Sequence, residues 1–70
     1  MKEYVKNNVY KLRKEKKVTQ EELASKIGVT RQTVIAIEKG NYTPSVLLAA
    51  KIAHFFRKKV EDIFKYVYEA

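Results

Sequence analysis

An all-α fold of five short helices is the architecture this chain predicts, and three observations lead to it. Apolar residues recur at helical spacing: Val9 and Leu12; Leu23, Ala24 and Ile27; Val34 and Ile37; Leu48, Ala49, Ile52, Phe55 and Phe56; then Val60, Ile63 and Phe64. Helix-start and helix-stop residues, not long loops, separate these groups. Seventy residues with 46% hydrophobic content can build one core, so 1–70 is expected to be a single domain.

Each element has its own justification. Val9 and Leu12 mark the first helix, whose Lys11-Leu12-Arg13-Lys14-Glu15-Lys16-Lys17 run reads either as a solvated face or as a surface for a polyanion. Thr19, three residues before Glu22, forms the capping-box pattern for a helix beginning at Gln20, and Gly28 closes it. Thr30 can cap a third helix starting at Arg31, with a left-handed residue at Gly40 to end it. Asn41-Tyr42-Thr43-Pro44 is a loop, Pro44 or Ser45 opens the fourth helix, and Arg57-Lys58-Lys59 turns into a last helix near Val60 to Lys65. The ends, 2–6 and 65–68, are rich in β-branched and aromatic residues; they can pair as a two-stranded antiparallel ribbon or fray.

Composition excludes several functions. Without cysteine there is no disulfide, thiolate metal site or thiol nucleophile, and His54 cannot build a metal cage alone. The Glu21-Glu22 and Glu61-Asp62 pairs sit in helix first turns, where they favour the helix dipole, so they do not read as catalytic dyads. No phosphate-cradling glycine loop is present, and no enzyme is expected. No run approaches the ~20 apolar residues of a membrane span, and the start lacks a signal peptide's apolar stretch, so a cytoplasmic protein is expected. Fifteen Lys and Arg against eight Asp and Glu leave a formal charge of +7, which suits a polyanionic partner. A chain this small is also expected to gain stability by pairing with a copy of itself.

The stretch Gln20 to Glu38 carries the functional reading. Two helices crossing steeply over a three-residue turn need a small side chain at their closest approach, a positive-φ residue at the turn and apolar anchors below the second helix. Ala24, Gly28, Val34 and Ile37 meet these needs, with Leu23 and Ile27 buried. Arg31, Gln32, Thr33, Ile35 and Ala36 are left to face outward. Arg and Gln are the side chains that bind guanine and adenine edges in two places at once, and here they open the helix.

From about Asn8 to Phe64 the chain resembles the Cro/repressor-type helix-turn-helix family, also called the xenobiotic-response-element family. The resemblance rests on Leu12-Arg13, Thr19-Gln20-Glu21-Glu22-Leu23-Ala24, Gly28-Val29-Thr30-Arg31-Gln32-Thr33, Ile37-Glu38-Lys39-Gly40, Pro44-Ser45, Lys51-Ile52-Ala53 and Glu61-Asp62-Ile63-Phe64. It implies a repressor-like five-helix domain with its helix-turn-helix at 20–39. Such a domain binds operator DNA as a homodimer, with helix 31–39 in the major groove. By position, Arg31, Gln32, Thr33, Ile35 and Ala36 are expected at base edges, and Gln20, Thr30, Lys39, Asn41 and Tyr42 at the DNA backbone. Arg13 and Glu38 are expected to form an internal salt bridge. The tail is similar to small stand-alone regulators whose terminal segments pair, which favours the ribbon.

Arg57 departs from the family pattern, standing where Gly is common; a left-handed conformation there costs about 1 kcal/mol. Leu47, often polar in relatives, leaves an apolar group near solvent. The aromatics exceed what a small core can hold, so Leu47, Phe55, Ile63, Phe64, Tyr66 and Tyr68 are expected at a two-fold dimer interface. The expected function is sequence-specific transcriptional regulation, most simply repression, through double-stranded DNA, with no cofactor, metal, membrane or small-molecule ligand. The rivals are a protein-interaction module on the same fold, antitoxin-like or co-regulatory, and nonspecific nucleic-acid binding.

Overall fold

The computed structural model describes residues 2–70; Met1, the first residue of the expected domain, lies outside them. The order is β1 (Lys2–Asn7), α1 (Val9–Lys16), α2 (Gln20–Ile27), α3 (Arg31–Glu38), α4 (Val46–Phe56), α5 (Val60–Ile63) and β2 (Phe64–Glu69). Five helices and a two-stranded antiparallel ribbon are thus present among the described residues.

Side-chain oxygens start three of the helices. Thr19 accepts from the Glu22 amide while Glu22 accepts from the Thr19 amide, completing the capping box of α2. Thr30 accepts from the Thr33 amide and Ser45 from the Leu48 amide. Helices α1 to α4 all stop in the same way, at a left-handed residue followed by an amide that reaches back five positions. Those residues are Lys17 (φ 59°), Gly28 (φ 75°), Gly40 (φ 79°) and Arg57 (φ 55°). The returning bonds run from Val18 to the Arg13 carbonyl, Val29 to Ala24, Asn41 to Ala36 and Lys58 to Ala53, at 2.9 to 3.0 Å. Arg57 therefore keeps the left-handed corner of α4 despite its side chain.

Three boundaries differ from expectation. Helix α3 ends at Glu38, with Lys39 as its cap. Helix α5 ends at Ile63, not Lys65, because Phe64 is already extended and paired with Asn7. The strands accordingly run 2–7 and 64–69, one residue longer at the inner end of each, and β2 one longer at its outer end. Cross-strand pairs alternate faces: Glu3/Tyr68, Val5/Tyr66 and Asn7/Phe64 share one face, and Lys2/Glu69, Tyr4/Val67 and Lys6/Lys65 the other. The Tyr66 hydroxyl donates to Glu3 Oε1 at 2.8 Å, clasping the ribbon on its first face.

Leu23, Ile37, Ile52, Ile63, Val9 and Val34 form the dry centre, drawing on all five helices. Ile63 is 1% exposed and cannot contribute to a dimer interface; that expectation is corrected, because the turn of α5 points it into the core. Asn7 knits the ribbon to the helices: its Nδ2 donates to the Ile37 carbonyl at 2.9 Å, and its Oδ1 accepts from the Val9 amide at 3.0 Å. It thereby occupies one carbonyl in the last turn of α3 and one free amide at the start of α1. No helix among the described residues is long and apolar enough to cross a membrane.

Candidate nucleic-acid interface

Helix α3 presents its outward face because Val34 and Ile37, three residues apart, are both buried beneath it. At about 100° per residue, Gln32, Ile35, Ala36 and Lys39 then point within one ~100° arc away from the core, with Arg31 at its edge and Thr33 turned toward the flank. Arg31, Gln32 and Lys39 are exposed, whereas Thr33, Ile35 and Ala36 are half-buried. Thr33 is further engaged by its hydroxyl contact with Thr30 at 3.2 Å. Asn41 and the half-exposed Tyr42 follow in the loop, beyond the turn at Gly40.

A polar network behind α3 sets its orientation. Arg13 Nε donates to Glu38 Oε2 at 2.6 Å and Nη2 to Oε1 at 3.2 Å, in the side-on geometry that a planar guanidinium favours. Both side chains are more than nine-tenths buried, and Arg13 Nη1 also donates to the Val18 carbonyl at 3.0 Å. The Glu38 hydrogen bond raises the Arg13 pKa above its ordinary value, against the opposing pull of burial, so the guanidinium stays charged. Gln20 continues the chain. Its Nε2 donates to Glu38 Oε1 at 3.1 Å, and its Oε1 accepts from Arg31 Nε at 3.4 Å. A buried ion pair between α1 and α3 is linked in this way, through the first residue of α2, to the first side chain of the outward face.

Gln20 thus has an internal role beside the one expected of it. The resemblance implies a side chain offered to a phosphate, but the structure has its amide bridging Glu38 and Arg31. The residue was legible as a helix start; its bridge was not, because Glu38 lies eighteen positions away in the chain and meets it only through the crossing of α2 and α3. The apolar set expected at a dimer interface is also divided. Leu47, Tyr66 and Tyr68 are exposed, and Phe64 lines an apolar cleft of about 180 Å³ with Val5, Pro44, Val46, Ala49 and Val60. Phe55 lies eight residues from Leu47 along α4, about 12 Å away. It packs on the core beside Phe56 and lines a different cleft.

No group of three His, Cys, Asp or Glu side chains among the described residues is placed to hold a metal ion. The site consists of an exposed helix face, two helix N-termini and a following loop. That combination defines a helix-turn-helix protein built to meet an extended surface.

Residues 9–63 match the family described as Helix-turn-helix. An HTH-type transcriptional regulator of Methanocaldococcus jannaschii is 67% identical over 49 residues, covering 70% of this chain and 74% of that one. The phage CTXphi transcriptional repressor RstR of Vibrio cholerae is 36% identical over 52 residues, 74% of this chain and 47% of that protein. Among solved structures, the transcriptional regulator VanUg superposes with a TM-score of 0.76 over 99% of this chain and 92% of its own; at 21% identity this is a likeness of fold. The chain belongs to the Cro/repressor-type helix-turn-helix family of transcriptional regulators and is not an enzyme.

Proposed function

We propose that this chain is a sequence-specific repressor that binds a pseudo-palindromic operator as a homodimer, with α3 in the major groove. The observation that carries the reading is the outward face of α3: Gln32 is exposed, and Arg31 is steadied by Gln20 and, through it, by the buried Arg13–Glu38 pair. Preorganised donors at the groove-entering end of a helix lose little freedom on binding. Arg31 and Gln32 read base edges, Ile35 and Ala36 line thymine methyls, and Thr33 supports the N-terminal turn. Thr30, Lys39, Asn41 and Tyr42 hold the sugar-phosphate backbone. Repression as the outcome draws on the kinship with RstR, a transcriptional repressor.

The homodimer uses the exposed apolar side chains Leu47, Tyr66 and Tyr68 together with the cleft lined by Phe64. Two-fold pairing covers these side chains and sets half-sites about one helical turn, ~34 Å, apart. The whole assembly works in the cytoplasm on double-stranded DNA and needs no cofactor. Selection from a random duplex library near physiological salt tests this reading, since nonspecific attraction is then partly screened. Enrichment of a two-fold-symmetric motif is expected. Failure of folded protein to enrich any motif overturns specific recognition, and an enriched motif without symmetry overturns the dimer.

A further inference from the structure

The positive charge of this chain is not concentrated on the face of α3. Five of its fifteen Lys and Arg side chains, Lys16, Lys26, Arg57, Lys58 and Lys59, lie at or near the C-terminal ends of α1, α2 and α4, and Lys51 joins them from the middle of α4. They border one continuous surface. Lys26 and Lys51 line a cleft of about 460 Å³ with Ala50, His54 and Phe55. The far side of His54 opens onto a second cleft, of about 670 Å³, with Arg57, Lys58 and Lys59. Lys16 Nζ sits 5.5 Å from the centre of the Phe55 ring.

Helix dipoles account for part of this grouping, because cations in a last turn or cap are favoured, as for Lys16, Lys26 and Arg57. The same effect covers Lys51, which starts in the middle of α4 but carries its ammonium to 4.0 Å from the position a Cβ would take on Gly28, the cap of α2; it does not account for Lys58 and Lys59 beyond the end of α4. Among the described residues Arg13–Glu38 is the one ion pair, so none of the six cations is matched by a carboxylate. Asp62, the acid lining the larger cleft, is occupied in accepting from the Lys59 amide at 3.2 Å.

We propose that this surface is a docking site for an acidic segment of a partner protein that carries an apolar side chain between its carboxylates. Charge alone admits any polyanion, and the floor of the smaller cleft makes the choice. Phe55 and Ala50 line the same cleft as Lys26 and Lys51, and Lys16 Nζ stands 5.5 Å from the Phe55 ring centre, so the site offers apolar surface together with several cations. A duplex backbone presents phosphates and sugars and leaves that floor unused, whereas a peptide with a leucine or phenylalanine flanked by glutamates fills both parts. The site shares no residue with the outward face of α3, so a partner can be held while DNA is bound.

The test is a titration of the ¹⁵N-labelled chain, followed by amide shifts, with three probes. These are a hexapeptide with Leu-Phe between two Glu-Glu pairs, the same peptide with Gly-Gly in place of Leu-Phe, and a random-sequence duplex. The Leu-Phe peptide is expected to move the amides of Lys26, Ala50, Lys51 and His54 and to leave Arg31, Gln32 and Ala36 in place. The Gly-Gly peptide is expected to bind about tenfold more weakly. K51E, at an exposed position, is expected to weaken the Leu-Phe peptide by about tenfold while K51R retains it. Equal binding of the two peptides, duplex-induced shifts at the cleft in place of α3, or no shift at about 1 mM peptide each overturns the proposal.

Discussion

Helix α2 joins two regions that handle charge in opposite ways. At its first residue, Gln20, a buried and fully paired Arg13–Glu38 bridge is linked to a single exposed guanidinium, Arg31. Six residues further on, about 9 Å along the helix, Lys26 enters a surface where six cations have no carboxylate partner. The first region places its polar groups accurately and has few free charges; the second has many free charges on flexible stems. Geometry of the first kind suits discrimination among shapes and donor patterns, whereas charge of the second kind suits attraction.

The largest effect expected from breaking this contrast comes from Glu38→Ala. It strands a buried guanidinium, costs about 3–5 kcal/mol and is read as lost thermal stability. Replacing Arg13 and Glu38 together by methionine and leucine is expected to recover most of that loss, since a buried ion pair adds little over a well-packed apolar pair. If the double variant is as unstable as the single one, the network is holding the fold by something other than charge satisfaction.

Next in size are the contacts with DNA. Gln32→Ala is expected to cost about 1–3 kcal/mol on the selected operator and to relax preference at one or two base pairs. Lys39→Ala is expected to weaken all duplexes alike and to reduce the salt slope by about one. An unchanged base preference in Gln32→Ala, measured by competition, removes α3 as the reading helix.

A smaller effect separates the two kinds of helix stop. Gly28→Ala meets nothing nearer than Lys51 Nζ at 4.0 Å, so its cost is the left-handed backbone alone, about 1 kcal/mol. Arg57→Gly relieves the same strain and is expected to raise the melting temperature by a few degrees, up to about 4–8 °C. The smallest effect is electrostatic. The Thr19 amide and hydroxyl hold the Glu22 carboxyl below its usual value, so Glu22 stabilises the fold above its unfolded pKa. That contribution fades as pH falls through the folded value, and Glu22→Gln is expected to flatten the acid limb of the melting curve over this window.

Local chemistry in the chain predicted most of the fold. Thr19 with Glu22, Thr30, Gly28 and Gly40 mark helix ends by interactions that span six residues or fewer, which is why they could be read directly. Lys17 was silent because lysine carries no preference for a left-handed backbone; it adopts one where α1 must turn and bring Val18 against the core. The aromatic count correctly suggested more apolar surface than the core requires, but could not sort it. Ile63 went inward, Phe55 joined the cationic cleft, and Leu47, Tyr66 and Tyr68 stayed outside.

By itself, then, the amino-acid order determined helix number, the helix-turn-helix and the outward Arg31 and Gln32, because apolar period and capping are encoded within a few turns of chain. Only the tertiary structure decided that Gln20 would bridge Glu38 to Arg31, that the two termini would pair from Asn7 and Phe64 outward, and that cations from three helices would gather near Phe55. Those outcomes depend on contacts that reach from eleven to more than sixty positions along the chain. No local pattern records such contacts; they are set by how the buried faces of the helices pack together.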